Sequence, residues 1–134
     1  ILFNNIVWAP VNCGMTDNVD GTYGKYYLYS QPFNNCPKGW RLPSWDELSK
    51  LIQTSSEMAT VNGVKGRKFK SNGQHLFLPA AGFEISDAYP IQQKDNYGYY
   101  LSSREGLALF FDSQSVGVYQ SNDGLGLSVR CVKE

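Results

Sequence analysis

Apolar side chains recur at three- and four-residue steps just after the segment CPKGWRLPS, and this spacing predicts a short amphipathic helix. The apolar stripe consists of Trp45, Leu48, Leu51 and Ile52. Pro43 holds the residue before it in an extended conformation, while Ser44 suits the N-cap and Glu47 completes a capping box. The helix is therefore predicted to begin at Trp45 and to pack its stripe on the rest of the domain.

The other apolar runs are typical of strands. Residues 1–14 predict an edge strand broken at Pro10, because proline cannot donate a ladder hydrogen bond, and residues 25–30 predict a short aromatic strand. From residue 69 onward, strand-like runs alternate with turns, and the last three runs predict an antiparallel meander. These runs are HLFLPAAGF, YGYYLSS, LALFFDS, SVGVYQ and LSVRCVK. A helix early and a sheet late predict an α+β fold.

Composition and charge restrict the function classes. The 134 residues suit one domain, and 42% hydrophobic against 18% charged residues indicates a globular chain. Twelve basic and twelve acidic residues balance, so we expect no nucleic-acid partner, and no apolar run reaches the roughly 20 residues of a spanning helix. The start at Ile1, without a signal-like segment, predicts a processed chain or part of a longer exported protein.

The candidate chemistry is sparse, and we expect neither an enzyme nor a cofactor. Asp17, Asn18 and Asp20 lie in one loop, but no bidentate Glu follows at calcium-site spacing, so solvated turn residues account for them better. The single histidine, His75, would need a thiol beside it for nucleophilic catalysis. The chain also lacks two-cysteine zinc spacing and a glycine-rich phosphate loop. Cys13 is interpreted as buried apolar filler or, alternatively, as a partner for a cysteine elsewhere.

Six sequence words, in order along nearly the whole chain, resemble the Fibrobacter succinogenes major paralogous domain family of bacterial surface and secreted proteins. The words are WAPVNCG, YGKYY, CPKGWRLPSWDEL, LFLPAAGF, GYYLSS and LSVRCVK. The resemblance implies a C-type lectin-like fold, with residues 1–134 as a single domain. It also implies a location at the cell surface or outside the cell, with a lipid anchor on a removed N-terminal segment as one means of attachment.

The resemblance also bears on cysteines and metals. It implies a disulfide between Cys36 at the helix entrance and Cys131 in the final strand, with two buried reduced thiols as the alternative. The calcium-binding triplets of lectins are absent, since residues 31–33 read Gln-Pro-Phe and lack the third ligand. Formylglycine-generating enzymes resemble this fold too, but their pair of reactive cysteines is not found here. We therefore expect no metal site and a structural role for residues 35–51.

Residues 102–132 are the candidate ligand-binding segment, because lectin-like relatives include proteins in which retroelements diversify the matching stretch. The scaffold positions there are Ala108, Phe110, Val116, Ser128, Val129 and Cys131. The candidate binding positions are Arg104, Glu105, Leu107, Asp112, Gln114, Tyr119, Asn122, Asp123 and Leu125. Strands alternate faces, and these outward types suit adaptable recognition, although a plain solvated face explains the same residues.

Two functions follow as hypotheses. The first is a calcium-independent binding or adhesion module that recognises a glycan or a protein on another surface. The second is a structural domain of a cell-envelope assembly, and an exposed apolar or aromatic patch would favour the first over the second. An enzyme ranks third.

Overall fold

A computed structural model describes residues 1–13, 23–28, 36–86, 88–120 and 124–134. The described residues form short antiparallel sheets and one helix, so the α+β prediction is confirmed. The elements are β1 (Leu2–Phe3), β2 (Ile6–Val7), β3 (Trp40–Arg41), α1 (Trp45–Ile52), β4 (Ser55–Val61), β5 (Val64–Ser71), β6 (Gln74–Pro79), β7 (Gly98–Leu101), β8 (Leu107–Phe111), β9 (Val116–Gln120) and β10 (Val132–Lys133). The sheets are β1-β2, β3-β10, β4-β5-β6 and β7-β8-β9.

The helix α1 begins at Trp45, as its capping sequence predicts. The backbone amide of Glu47 donates to the Ser44 hydroxyl at 3.1 Å, and the Ser44 amide donates to Glu47 Oε1 at 2.8 Å. Leu48 and Leu51 are fully buried, while Trp45 and Ile52 pack against the same core cluster from its edge. None of the described helices has the length and apolar character that crossing a membrane requires.

Glu47 also links the helix to β3, and this ion pair predicts a pH-dependent contribution to stability. Arg41 donates two hydrogen bonds to the Glu47 carboxylate, at 2.8 and 2.9 Å. These two bonds are the main reason that the pKa of Glu47 lies below its ordinary value. A carboxylate with a depressed folded-state pKa stabilises the fold above the unfolded-state pKa of about 4.3, and the contribution is lost as pH falls through the folded-state value.

We therefore expect Glu47→Gln to be less stable than the wild type at pH 7, with the difference shrinking towards pH 3 as the pH falls through the folded-state pKa of Glu47. Urea unfolding of both proteins at the two pH values measures this change. Asp46→Asn is the control, because Asp46 is exposed in the same helical turn. A gap between Glu47→Gln and wild type that stays constant with pH would show that the charge of Glu47 plays no part.

The β4-β5-β6 sheet corrects the prediction that strands begin at residue 69. Strands already start at Ser55, because two Asn-Gly pairs close tight hairpins between β4, β5 and β6. Asn62 and Gly63 have φ of 51° and 81°, and Asn72 and Gly73 have φ of 51° and 78°. Positive φ at both central residues is the geometry of type I′ turns, which Asn-Gly favours.

The first thirty residues also differ from the strands predicted for them. Residues 1–7 form the β1-β2 hairpin, turning at Asn4 and Asn5 with positive φ, instead of one strand broken at Pro10. In the predicted strand at residues 25–30, Tyr27 makes a single bridge to Leu127, and residues 29 and 30 lie outside the described part.

The predicted meander of the last three runs is wrong in its final member. The meander is β7-β8-β9, whereas β10 pairs with β3 and Ser128 bridges Tyr100 in parallel. Residues 126–132 are all buried, which an edge position beside β9 would not allow. The last segment therefore runs through the interior of the domain.

The core consists of two clusters, one on each face of the β7-β8-β9 sheet. Successive residues of a strand point to opposite faces. Tyr100 on β7 and Leu109 on β8 accordingly pack towards α1 and the β4-β5-β6 sheet. Tyr99 and Ala108 pack towards the last segment, where Leu127 is fully buried. Both faces of this sheet are therefore covered over much of their area.

A disulfide joins Cys36 to Cys131, in agreement with the resemblance-based prediction. The bridge ties the entrance of β3 to the entrance of β10. Arg130, beside it in sequence, is buried and donates from Nε to Asn12 Oδ1 at 3.0 Å, and Asn12 Nδ2 donates to the Tyr100 hydroxyl at 2.9 Å. Burial lowers the pKa of the Arg130 guanidinium. This polar chain fixes the N-terminal segment against the last one.

Candidate functional site

Four aromatic rings lie side by side on the face of the β7-β8-β9 sheet that is turned away from α1. Register explains their grouping, since Tyr99 pairs with Phe110 and Tyr119 pairs with Ala108. Ring centroids are 5.0 Å apart for Tyr99 and Tyr119 and 5.5 Å apart for Tyr97 and Phe110, mostly in edge-to-face arrangements. We call Tyr97, Tyr99, Phe110 and Tyr119 the aromatic face.

The aromatic face is only partly covered. Tyr99 is 8% exposed, whereas Tyr97, Phe110 and Tyr119 are each half-buried. The residue opposite Phe110 on β9 is Gly117, and a Cβ built there would meet no heavy atom within 4 Å. The missing side chain leaves open space beside the Phe110 ring. A flat group of a ligand could therefore approach this ring.

A polar pocket of about 360 Å³ adjoins the aromatic face. Tyr97 belongs to both, and the pocket wall also contains Asp95, Asn96 and Asp112. Asp95, Asn96 and Tyr97 immediately precede β7, and Asp112 immediately follows β8, so the antiparallel pairing of these strands brings them to one end of the sheet. Carboxylates, an amide and a phenol thus converge on one space.

Asp112 presents an ionised carboxylate to this pocket. Its Oδ1 accepts hydrogen bonds from the backbone amides of Gln114 and Ser115, both at 2.8 Å, and from the Ser115 hydroxyl at 3.2 Å. The Gln114 amide is the main reason that the pKa of Asp112 lies below its ordinary value. Among the described residues, none donates a hydrogen bond to Oδ2. That oxygen is available to a hydroxyl donor from a ligand.

Asp95 is oriented differently. Its Oδ1 accepts a hydrogen bond from the Tyr23 hydroxyl at 2.6 Å, and the Lys94 ammonium lies 4.5 Å from the centre of the Tyr23 ring. Burial in the first place, and then the bond to Asp95, raise the pKa of Tyr23 above its ordinary value. Tyr23 therefore keeps its proton at neutral pH, and its hydrogen bond holds the Asp95 side chain in place.

The structure divides the predicted binding residues between two ends of the sheet. Asp112 and Gln114 lie in the β8-β9 turn, beside the polar pocket. Arg104 and Glu105 are exposed in the β7-β8 turn, roughly 15 Å away along β8. Only Asp112 among these four lines the pocket.

Leu107 and Tyr119 lie nearer the β7-β8 turn. Leu107 is half-buried and pairs with Gln120, and Tyr119 and Leu125 both pack against the cluster around Tyr99. Asn122 and Asp123 lie outside the described residues. Tyr119 is thus the one predicted residue that belongs to the aromatic face.

Sequence reasoning missed part of the site. Phe110 is assigned to the scaffold, yet it is half-buried and its ring borders open space. Asp95, Asn96 and Tyr97 are not among the predicted binding positions, yet they line the pocket. The available signal was the run DNYGYY, in which charged, amide and aromatic residues directly precede a buried strand.

The structure describes no binding or catalytic arrangement around the other candidate residues from the sequence. The loop with Asp17, Asn18 and Asp20 and the triplet at residues 31–33 lie outside the described residues. His75 is exposed on β6. Within the described part of the chain, the three cysteines form the one group of potential metal ligands that lie close enough together to share an ion. Such a group contains at least three histidine, cysteine or carboxylate side chains.

Comparison of the chain with models of protein families, with curated proteins and with solved structures finds no match. The function is therefore inferred from the side chains of the aromatic face and the polar pocket.

Proposed function

We propose that this domain is a non-catalytic binding module that recognises a glycan through the aromatic face and the polar pocket beside it. The observation that carries this proposal is the continuity of the two surfaces at Tyr97, which has its ring in one and lines the other. Half-exposed rings beside a small set of convergent polar groups are the usual composition of a ligand site.

The chemistry of sugars matches this composition. The C–H groups on one face of a pyranose carry partial positive charge, which is attracted to the negative face of an aromatic ring. Phe110, with open space beside it, offers such a ring. Equatorial hydroxyls at the sugar's rim can donate to the Oδ2 atom of Asp112 and exchange hydrogen bonds with Asn96. The pocket volume of 360 Å³ suits a short oligosaccharide end.

Three further features belong to this proposal. The contacts described need no metal, so binding is calcium-independent. The fold is C-type lectin-like and the domain is exported to the cell surface or beyond, which the sequence words support and with which the disulfide is compatible. The exposed residues of the β7-β8 turn, Arg104 and Glu105, extend the contact surface for longer ligands.

The test is a glycan array with the purified domain, followed by titration of the best ligand. Tyr97→Ala and Tyr119→Ala are each expected to weaken binding by about tenfold or more, because truncating an aromatic anchor typically costs more than about 1.4 kcal/mol. Val118→Ala is the matched control, since Val118 is 53% exposed on β9 but points to the opposite face from Tyr119.

A parallel array arm contains a calcium chelator. Binding that disappears in the chelator arm would contradict the calcium-independent part of the proposal. Binding to no glycan in either arm would reject a glycan ligand, and equal affinities of Val118→Ala and Tyr97→Ala would reject the site.

One observation favours the second candidate function, a structural domain of a cell-envelope assembly. Apolar side chains are exposed together on the β1-β2 hairpin, where Leu2, 51% exposed, pairs with Val7, 37% exposed. Exposed apolar groups of this kind occur at protein contacts. A negative glycan array, together with loss of self-association or partner binding in Leu2→Ser, would support this candidate instead.

A further inference from the structure

Three sulfur atoms lie together where the N-terminal segment meets the last segment. The Sγ atoms of Cys13, Cys36 and Cys131 are all within 4.8 Å of one another, and Cys36 and Cys131 form the disulfide. The chain has three cysteines, so Cys13 contributes the remaining thiol. A thiol at this distance from a disulfide is placed for thiol–disulfide exchange.

Backbone hydrogen bonds hold Cys13 in this position. Its amide donates to the carbonyl of Val129 at 2.7 Å, and its carbonyl accepts from the Lys25 amide at 3.0 Å. Four residues earlier, the Ala9 amide donates to the carbonyl of Cys131 at 2.8 Å. The segment with Cys13 therefore lies directly against the segment with Cys131, independently of any contact between sulfur atoms.

The sulfur cluster is reachable from solvent. Cys13 is half-buried, and both Cys13 and Cys131 line an apolar pocket of about 210 Å³ whose wall includes Pro37 and Trp40. The Tyr27 hydroxyl lies 3.6 Å from Cys13 Sγ. A hydroxyl in this position can donate a hydrogen bond to the Cys13 thiolate, the reactive form of the side chain.

We propose that Cys13, Cys36 and Cys131 form a thiol–disulfide exchange site, in which the bridge moves between Cys36–Cys131 and Cys13–Cys131. In this step the Cys13 thiolate attacks Sγ of Cys131 and a new S–S bond forms. The old bond breaks, and its electron pair leaves on Cys36 as a thiolate, which takes up a proton from solvent equal to the one that Cys13 lost. The step consumes no oxidant or reductant.

The geometry imposes one requirement on the exchange. Because both bridged sulfurs lie within 4.8 Å of Cys13 Sγ, the thiol lies beside the S–S bond, not on its extension. Attack along the bond axis needs rotation of a cysteine side chain, for which the adjoining pocket provides space. The product carries the thiol of Cys36, which can then attack a small disulfide such as glutathione disulfide, forming a mixed disulfide and releasing one thiol of the small compound.

The first experiment uses the unaltered protein. Native protein is incubated with iodoacetamide at mildly alkaline pH, and peptides are mapped without reduction at successive times. We expect a growing share of molecules with alkylated Cys36 and a Cys13–Cys131 peptide. Label confined to Cys13, or no label on any cysteine, would overturn the proposal, because the alkylating agent traps every thiol that exchange releases.

A variant without Cys36 tests whether Cys13 and Cys131 can form a disulfide. Cys36→Ser, oxidised with glutathione disulfide, is expected to form a monomer with a Cys13–Cys131 bridge and to lose both titratable thiols. Cys13→Ser/Cys36→Ser is the control, because its single cysteine can form no internal bridge and either stays a thiol or carries glutathione, which intact mass distinguishes. Cys36→Ser with a wild-type near-ultraviolet circular dichroism spectrum and two persistent thiols would contradict the exchange. Should Cys36→Ser not fold, the labelling of wild type decides the question.

Discussion

Gly82→Ala is expected to lower the free energy of unfolding by more than about 4 kcal/mol, which is exceptional for a single methyl group. Gly82 has a φ of +69°, a region that residues with a Cβ rarely adopt. An added Cβ would also overlap the carbonyl oxygen of Gln92 and lie 2.8 Å from the amide nitrogen of Lys94. Both obstacles are backbone atoms, which cannot rotate away as a side chain would.

Gly63→Ala separates the two causes. Gly63 has a φ of +81°, so alanine there would be strained by φ as at Gly82, but its Cβ would meet no atom within 4 Å. We expect Gly63→Ala to cost only about 1–2 kcal/mol. Urea unfolding followed by tryptophan fluorescence measures both variants. Equal losses for Gly63→Ala and Gly82→Ala would show that φ alone, and not the contact with Gln92, determines the effect.

The close packing at Gly82 matters for the candidate site. The Gly82 amide donates to the carbonyl of Tyr97 at 2.8 Å, and the Asp95 amide donates to the carbonyl of Ala80 at 2.7 Å. Residues 80–82 thus support the segment that carries the acidic and aromatic walls of the polar pocket. The close backbone approach that Gly82 permits keeps Asp95 and Tyr97 against the β7-β8-β9 sheet.

Elements specified by local sequence could be predicted, and elements that depend on distant pairing could not. The start of α1 follows from Ser44 and Glu47, which satisfy each other's backbone amides within one turn. The hairpins at Asn62-Gly63 and Asn72-Gly73 also carried a local signal that the prediction overlooked. The partner of β10 had none, because β3 lies about ninety residues earlier and is brought close only by the folded domain.

The candidate site shows the same limit. Alternation along strands was enough to include Tyr119 and Asp112 among the candidate binding positions. It could not show that Tyr97 approaches Phe110, since this contact depends on the register between β7 and β8. The positions of Cys13, Cys36 and Cys131 in sequence likewise gave no indication that the three sulfurs meet.

Cleaving the disulfide in the wild-type protein is expected to reduce the free energy of unfolding by about 4–5 kcal/mol, because the bridge closes a loop with a sequence separation of 95 residues. The reason is chiefly that the bridge restricts the unfolded chain, although it also fixes β3 beside β10 in the native fold. Urea unfolding with and without a phosphine reductant measures the change, and an unaltered midpoint would contradict it.

Variants in which one of the three cysteines is replaced then show whether the position of the bridge matters for stability. Cys13→Ser keeps the Cys36–Cys131 bridge and should retain wild-type stability in oxidising buffer. If Cys13 replaces Cys36 as the partner of Cys131, oxidised Cys36→Ser closes an even longer loop and should retain most of the stabilisation, which the reductant then removes. Oxidised Cys36→Ser that is no more stable than its reduced form would place the whole stabilisation in the Cys36–Cys131 pair, and would count against exchange with Cys13.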